Sequence, residues 1–220
     1  MQRTSTNVIS QGALLATILF IGGCGEQQSN EAQTTDEEAT LSESVALPPE
    51  NALRDAYFGE THMHTAFSLD AYIGGARLDH DGAYRYARGE TVTVDGIQKA
   101  RQRPLDFVAV SDHAEYIGEM YSAMTEGAPG HDQDLLKQLR ALSTIEEKQE
   151  WFLKYVINNT RGDNPSHPPF YMGPDTTRSA WQIMIDSANA HNEPGVFTAL
   201  IAFEWSGAPQ GGNLHRNVIY

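Results

Sequence analysis

The sequence predicts an α/β fold in which parallel strands alternate with helices. Two segments, residues 107–110 (FVAV) and 196–205 (VFTALIAFEW), are apolar almost without interruption, which is typical of parallel strands covered on both faces. Helical patterns occupy the interval between them, at residues 131–160 and 177–191. Because strand, helix and strand follow one another in this order, we expect a parallel sheet with helical crossovers.

The elements before the first buried strand are shorter. Residues 53–60 end in AYFGE and predict a strand that leads into two histidines. Residues 69–94 are rich in Gly, Asp and Tyr, and they predict a long loop with one helical turn. Residues 95–103 (DGIQKARQR) predict a helix that Asp95 caps.

The elements after that strand are two helices within residues 131–160, a third helix and two strands. Ser143 and Glu146 in the segment STIE form a capping-box pattern ahead of the second helix. Residues 214–220 (LHRNVIY) open the last strand. Because Tyr220 closes an apolar run with no polar tail, we expect this chain to be the N-terminal piece of a longer protein.

Residues 1–24 predict a bacterial lipoprotein signal peptide. The apolar core, residues 13–21, is too short to span a bilayer and has the length of a signal-peptide core. Cys24 follows Ile-Gly-Gly in a pattern that resembles a lipobox, which implies lipidation of this cysteine. Gly25 supplies no inner-membrane retention aspartate, so we expect a lipid-anchored cell-envelope protein, facing the periplasm or the surface, with the outer membrane favoured. The alternatives are a signal peptide with an unrelated cysteine, or a buried helix.

Residues 25–50 predict a disordered acidic tether, since they hold seven acids, no base and no aromatic side chain. Residues 51–220 then form the globular domain. This domain keeps 14 basic and 22 acidic side chains and no basic run, so its net charge of −8 argues against a nucleic-acid partner. The single cysteine excludes an intrachain disulfide and a CxxC metal site.

Two histidines, His62 and His64, follow the first predicted strand. Alternate strand residues share a face, and their Cα atoms would lie about 6.6 Å apart, so both imidazoles can reach one ion. By itself this HxH pattern is more often found in a turn or at the surface. Other strand ends change that interpretation, because Asp112 and His113 follow FVAV and Glu204 stands near the end of LIAFEW. A glutamate in such an apolar run is costly to bury unless it is paired or binds a metal.

His215 opens the last strand and adds a fourth position of this kind. The segments GETHMHTAFSLD, AVSDHAE, IAFEWSG and NLHRNV together resemble the PHP (polymerase and histidinol phosphatase) superfamily. They are closest to its PHP-like branch catalogued as a domain of unknown function. The resemblance covers about residues 55–220. It implies a distorted, TIM-like (β/α)₇ barrel with a di- or trinuclear metal centre, of which this chain holds the N-terminal part.

The resemblance also implies roles for individual residues. His62 and His64 match ligands of a first ion, Glu204 a carboxylate that bridges two ions, His215 a ligand of a second ion, and His113 a ligand of a third. Asp70 matches a further ligand of the third ion, and Asp112 matches an aspartate that supports the catalytic site from behind the ligands. Family ligands that lie downstream of His215 have no counterpart before Tyr220, so we expect this chain to hold metal weakly or incompletely, which leaves its activity by itself an open question.

These observations predict a metal-dependent hydrolase that acts on a small molecule, most simply a phosphoester. Two or three divalent ions, with Zn favoured and Mn or Fe as alternatives, would hold a bridging hydroxide that attacks phosphorus. The same centre could cleave a carboxylic ester or a lactone. A different class remains open, in which the chain is a surface binding lipoprotein whose metal is only structural.

Other polar residues receive weaker predictions. Arg77, Arg85 and Arg88 follow the HxH strand, where they could meet a phosphate or could be solvated. Glu115 and Tyr116 are expected to support the site or the fold. Four further histidines are expected at the surface or at helix ends, namely His80, His131, His167 and His191.

Overall fold

The structure is a computed structural model that describes residues 55–161, 164–207, 209 and 212–220. The predicted signal peptide, Cys24 and the acidic tether lie outside these residues. In the described residues, no helix has both the length and the apolar character that crossing a membrane requires.

The described residues contain six strands, which form two sheets. They are β1 (Gly59–Met63), β2 (Val92–Val94), β3 (Ile97–Lys99), β4 (Phe107–Val110), β5 (Thr198–Gly207) and β6 (Leu214–Ile219). The main sheet has the order β1-β4-β5-β6, and β2 pairs with β3 in a separate hairpin. Strands β1, β4 and β5 are parallel, whereas β6 is antiparallel to β5. The predicted α/β architecture is therefore confirmed, and the last strand differs because it returns directly from β5 as a hairpin.

The helices lie in the two crossovers and cover the sheet. They are α1 (Leu69–Ile73), α2 (His80–Ala87), α3 (Ile117–Met124), α4 (Asp134–Ala141), α5 (Ile145–Phe152), α6 (Asn158–Thr160) and α7 (Pro174–His191). A π-helical segment, Leu153–Ile157, joins α5 to α6. One apolar core fills the space among helices α1, α3, α4, α5 and α7, and a second packs α2 and α7 against the sheet.

The main sheet curls into a half-barrel. Strands β1 and β6 stand at its two ends, yet the Asn217 side chain in β6 donates a hydrogen bond to the Thr61 carbonyl of β1, with an N–O distance of 2.9 Å. Curling brings the carboxyl ends of β1 and β4 and the middle of β5 to one side. The polar residues that follow these strands are thereby placed around a common centre.

Several local predictions were wrong in ways that have clear causes. Residues 95–103 do not form a helix, because Asp95 and Gly96 have φ values of 49° and 76° and make the tight turn of the β2–β3 hairpin. An Asp-Gly pair is a strong signal for such a turn. The predicted loop over residues 69–94 contains α1, α2 and β2, and α3 was not predicted.

The predicted helices within residues 131–160 and over 177–191 are present, with shifted boundaries. Thr144, rather than Ser143, caps α5, and its partner is Glu147 instead of Glu146. The Thr144 hydroxyl accepts a hydrogen bond from the Glu147 N–H, and the Thr144 backbone N–H donates one to the Glu147 carboxylate. Helix α7 begins three residues early, at Pro174, which suits the first position of a helix because proline lacks an N–H there.

Gly118 allows α3 to pack directly against α7. A Cβ atom at this position would lie 2.7 Å from the Thr177 backbone nitrogen and 2.8 Å from Thr176 Oγ1. We predict that Gly118→Ala lowers the free energy of unfolding by about 1–3 kcal/mol, measured by urea denaturation, because the helix backbone cannot move aside. Gly74→Ala is the control, since its nearest atoms are at 3.4 Å and it should change stability by less than about 0.5 kcal/mol. Equal effects at the two glycines would contradict this account of the helix contact.

Candidate metal centre

The curled sheet brings six sequence-predicted residues into one cluster, which we call the ligand cluster. Its members are His62, His64, Asp70, His113, Glu204 and His215. They form three overlapping groups of three, and within each group the potential ligand atoms lie within 4.8 Å of one another. Each residue comes from the end of β1, the start of α1, the end of β4, or the β5–β6 hairpin.

Glu204 lies at the centre of the ligand cluster and is completely buried. Its Oε2 atom is 2.8 Å from His62 Nε2 and 2.7 Å from His64 Nε2. Its Oε1 atom contacts His215 Nδ1. Oε2 therefore faces His62 and His64 while Oε1 faces His215, so the two oxygens of one carboxylate have different imidazole partners, as those of a bridging ligand would.

Asp70 extends the ligand cluster on the side of α1. Its Oδ2 atom is 3.2 Å from His113 Nε2, and its Oδ1 atom is 3.7 Å from His64 Nδ1. The His64 and His113 rings meet edge to face, with centroids 4.7 Å apart. Asp70 itself is exposed, with 58% of its side chain accessible, so it borders the open side of the ligand cluster.

The charges of the ligand cluster shift the pKa values of its members. Burial acts to raise the pKa of Glu204, but hydrogen bonding from His62 and His215 and the charge of His113 outweigh burial and lower it. Burial likewise opposes protonation of His64 and His113, yet hydrogen bonding to Asp70 raises the pKa of both imidazoles. Because a ligating imidazole must be neutral, protons compete with metal here, and metal affinity should fall as the pH is lowered.

The donor set and its spacing fit a divalent metal. The Nε2 atoms of His62 and His64 are 3.0 Å apart, and each is within 2.8 Å of Glu204 Oε2. Ligand atoms at about 2.0–2.1 Å from a tetrahedral ion are separated by roughly 3.3 Å, so small side-chain movements would accommodate one. Imidazole with carboxylate suits Zn, Fe and Mn. The described residues thus include groups that could hold a metal ion.

Asp112 supports the ligand cluster from a completely buried position. It accepts hydrogen bonds from the Thr65 backbone N–H and hydroxyl, both at 2.6 Å, and from the Ser68 hydroxyl at 2.8 Å. Thr65 and Ser68 lie between the HxH pair and α1, and the Ser68 Oγ also accepts a hydrogen bond from the His113 N–H at 3.0 Å. Asp112 therefore fixes the segment that carries His64 and Asp70. None of the hydrogen bonds described for Asp112 involves a ligand atom of the cluster.

His80 lies at a helix end, as the sequence analysis expected, but it is buried rather than at the surface. Its side chain is 1% exposed, and its Nε2 atom lies 2.8 Å from Asp112 Oδ2. The ring is not aligned for a standard hydrogen bond, so the contact is an electrostatic one within a buried pocket. Its position at the first residue of α2 directs it inward beneath the ligand cluster, which the sequence did not indicate because no apolar pattern marked this helix as buried.

Two polar residues orient the imidazoles and were not predicted. Ser206 Oγ is 2.8 Å from His113 Nδ1, and Asn213 Oδ1 is 2.8 Å from His215 Nε2. Ser206 follows Glu204 by two residues on β5, and Asn213 precedes His215 by two. The sequence held one signal for these residues, because a residue two positions away from a candidate ligand on a strand lies on the same face of the sheet.

Arg77 and Arg85, which were predicted to bind substrate, contact other parts of the protein instead. Arg77 donates to the carbonyls of Tyr72 and Ala76 and lies over the Tyr72 ring at 4.4 Å. Arg85 is exposed and pairs with Glu90 at 2.9 Å. Arg88 similarly pairs with Glu193 at 2.7 Å. These contacts give none of the three arginines a place beside the ligand cluster.

A different arginine borders the ligand cluster. A cleft of about 360 Å³ opens beside it and is lined by Asp70, His113, Tyr116, Phe152, Arg161 and His215. Arg161 is exposed and forms no ion pair with any residue that the structure describes. It reaches this cleft because α5, the π-helical segment and α6 carry the chain back over the strand ends, which sequence spacing did not reveal.

The remaining predicted polar residues have structural contacts. Glu115 Oε1 accepts a hydrogen bond from the Ser206 N–H at 3.0 Å, and the Tyr116 hydroxyl donates to Thr160 Oγ1 at 3.0 Å. His131 and His191 are partly buried rather than fully solvated, the former against the Ser122 carbonyl at 3.1 Å. The exposed His167 stacks on Tyr171, with ring centroids 3.7 Å apart.

Comparison with known families gave one match. Residues 51–220 match the family described as "Protein of unknown function (DUF3604)". Comparison with curated proteins gave no match, and comparison with solved structures gave none.

Removal of the buried Asp112 charge tests the support beneath the ligand cluster. We predict that Asp112→Asn lowers the free energy of unfolding by about 2–5 kcal/mol at pH 7, because its amide N–H₂ replaces an oxygen that accepts hydrogen bonds. Hydrogen bonding and the contact with His80 hold the pKa of Asp112 below its ordinary value despite burial. Its contribution is therefore complete above about pH 4 and is lost as the pH falls further, so the two unfolding curves should converge in acid.

Asp132→Asn is the matched control, because its side chain is 88% exposed and should matter little. A loss of stability at Asp112 no larger than this control would show that the buried network does not hold the loop.

Proposed function

The chain belongs to the DUF3604 family, and from the geometry of its ligand cluster we propose that it is a metal-dependent phosphoesterase. The observation that carries this proposal is the buried Glu204 carboxylate, whose Oε2 atom faces His62 and His64 and whose Oε1 atom faces His215. A fully buried carboxylate surrounded by three histidines is costly unless a cation balances it. The resemblance of the sequence segments to the PHP superfamily supports the same reaction class.

We further propose that the half-barrel sheet is part of a distorted (β/α)₇ barrel. Three parallel strands with helical crossovers support this arrangement, as does the grouping of polar residues at their carboxyl ends, where α/β barrels carry their active sites. The antiparallel β6 then acts as a bent continuation of the sheet that adds His215 to the ligand cluster.

In this proposal, His62, His64 and Glu204 Oε2 would hold one divalent ion, and His215 and Glu204 Oε1 would contribute to a second. His113 would contribute to a third ion, as the resemblance to the PHP superfamily implies. Asp70 would complete a coordination shell on the open side. When bound, divalent ions supply a nucleophile from water at neutral pH and offset negative charge that develops on a phosphoryl group. Zn is favoured by the imidazole-rich set, and Mn or Fe would fit as well.

The protein's own groups position the reaction in this proposal. Ser206 and Asn213 fix the orientation of His113 and His215 through their ring nitrogens. Asp112 fixes the loop that carries His64 and Asp70. Arg161, at the edge of the cleft, would pair with the non-bridging oxygens of a phosphate, and its planar fork suits such bidentate contact.

We also propose a lipid anchor at Cys24, with the domain held at the cell envelope, the outer membrane favoured, by the acidic tether of residues 25–50. The support is the lipobox-like sequence, the length of the apolar core and the composition of the tether. The partners implied are the membrane, through the lipid, and a small phosphorylated molecule.

Metal content and hydrolysis test the proposed centre together. We predict that His62→Ala and Glu204→Gln remove most of the bound Zn or Mn, measured by mass spectrometry of the purified protein. They should also lower the kcat for phosphomonoesters by about 100-fold or more, since even residues behind the ligands typically contribute 10–100-fold. His131→Gln serves as the control, because this histidine lies outside the ligand cluster. Unchanged metal content and hydrolysis in both variants would refute the proposal. Hydrolysis of carboxylic esters or lactones alone would reassign the bond that is cleaved.

Arg161 tests whether the substrate carries a phosphate. We predict that Arg161→Ala lowers kcat/KM for a phosphomonoester by about tenfold or more, chiefly through KM, because a charge-assisted contact is lost. Arg161→Lys should recover part of the loss. Arg85→Gln, which removes an exposed arginine on α2, should leave kcat/KM unchanged. If Arg85→Gln lowered kcat/KM and Arg161→Ala did not, the phosphate would bind near α2 rather than in the cleft.

A further inference from the structure

A second cavity lies next to the cleft beside the ligand cluster. This second chamber has a volume of about 650 Å³, and Glu119, Tyr171 and Pro174 contribute to its wall. It shares Glu115, Tyr116 and Thr160 with the cleft. The two cavities therefore adjoin each other at the Tyr116–Thr160 hydrogen bond.

Glu119 is the unexplained group in the second chamber. It lies in the first turn of α3 and is 5% exposed. Within the described part of the chain, no other residue donates a hydrogen bond to its carboxylate or forms an ion pair with it. A buried carboxylate without such a partner is unfavourable, and a cation or a hydrogen-bond donor in the second chamber would relieve this cost.

A second acceptor points to the same kind of occupant. Glu115 uses its Oε1 atom to accept from the Ser206 N–H, while its buried Oε2 atom accepts no hydrogen bond from any described residue and lies 3.8 Å from His113 Nδ1. Both carboxylates border the second chamber, so its wall carries acceptor oxygens and negative charge.

The basic residues of the second chamber do not neutralise Glu119. Arg178 forms an ion pair with Asp175, which precedes it by one turn in α7, and Arg178 is largely exposed. His167 is exposed and stacks on Tyr171. Burial raises the pKa of Glu119 above its ordinary value even though the charge of His167 opposes this shift. These contacts are consistent with a carboxyl group that lacks a close cationic partner.

The walls suit an organic cation better than a hydrated metal ion. Pro165, Pro168 and Pro174 supply apolar surface, and Tyr116 and Tyr171 supply aromatic rings, although His167 covers one face of the Tyr171 ring. Ammonium and quaternary ammonium groups are attracted to aromatic faces and carry apolar substituents. A small metal ion would require several converging ligand atoms, and among the described residues no three His, Cys, Asp or Glu side chains come together at this wall.

We propose that the second chamber binds an ammonium or quaternary ammonium group on the alcohol portion of a phosphoester, with Glu119 as its counter-ion. The phosphate end of this assignment rests on the proposed phosphoesterase function, whereas the cation end rests on the second chamber alone. The substrate class is therefore the phosphate ester of an amino alcohol, with the phosphate beside Arg161 and the ligand cluster.

Binding of the alcohol portion tests the second chamber without any reaction. The probes are choline and its uncharged isostere 3,3-dimethylbutan-1-ol, added to the metal-free full chain and followed by saturation-transfer NMR. We expect choline to bind at least tenfold more tightly than the isostere, and Glu119→Gln to abolish this difference. Equal affinity of the two probes for the wild-type chain would overturn the proposal, and this comparison needs no variant. Glu150→Gln, at an exposed position on α5, controls for the loss of one negative charge.

Hydrolysis of the corresponding esters separates the two parts of the proposal. We expect kcat/KM for phosphocholine to exceed that for 3,3-dimethylbutyl phosphate by at least tenfold, and Glu119→Gln to bring this ratio to about one. Hydrolysis of both esters with equal kcat/KM would overturn the cation site while leaving the phosphoesterase in place. Selective choline binding without hydrolysis of either ester would support the cation site and count against the phosphoesterase. Thermal unfolding of Glu119→Gln checks its folding, and we expect a Tm no lower than that of the wild type, since no described contact is lost.

Discussion

Burial of the Glu204 carboxylate is the constraint on which the rest of the site depends. The residue stands in an apolar strand and is fully enclosed, so its charge must be balanced by groups that the fold brings to it. Imidazoles from three other places in the chain do this, and each needs a fixed backbone position. The curl of the sheet, the β5–β6 hairpin and the loop after β1 can all be understood as means of delivering those imidazoles.

A second buried carboxylate supplies the necessary rigidity. Asp112 is enclosed by hydrogen bonds from Thr65 and Ser68 and by His80, and it immediately precedes His113. One acidic residue thereby links β1, β4 and α2, three elements distant in sequence. The two carboxylates have different surroundings. Glu204 contacts imidazoles of the ligand cluster, whereas Asp112 contacts backbone and hydroxyl donors together with His80. Two neighbouring cavities lie on the open side of the ligand cluster. The cleft contains Arg161, which forms no ion pair with a described residue, and the second chamber contains the Glu119 carboxylate.

The sequence predicted the main architecture and the members of the ligand cluster, and the errors have common causes. The apolar strands at residues 107–110 and 196–205 were recognised because burial on both faces leaves a local pattern. Residues 95–103 were predicted as a helix with Asp95 as its cap. The Asp95–Gly96 pair is also a signal for a tight turn, and in the structure it forms the β2–β3 hairpin. Arg77 and Arg85 were chosen for closeness in sequence to the HxH strand, whereas Arg161 reaches the cleft from a distant helical segment.

By itself, the sequence determined which chemical groups were available and which strands would be buried, because residue type and apolar periodicity are local properties. It also indicated that His62, His64, His113, Glu204 and His215 belong together, since each stands at a strand end. Only the tertiary structure decided which atoms face one another. The two-sided surroundings of Glu204 and the second chamber with Glu119 depend on how the sheet curls and how the crossovers pack, which are set by contacts between residues far apart in the chain.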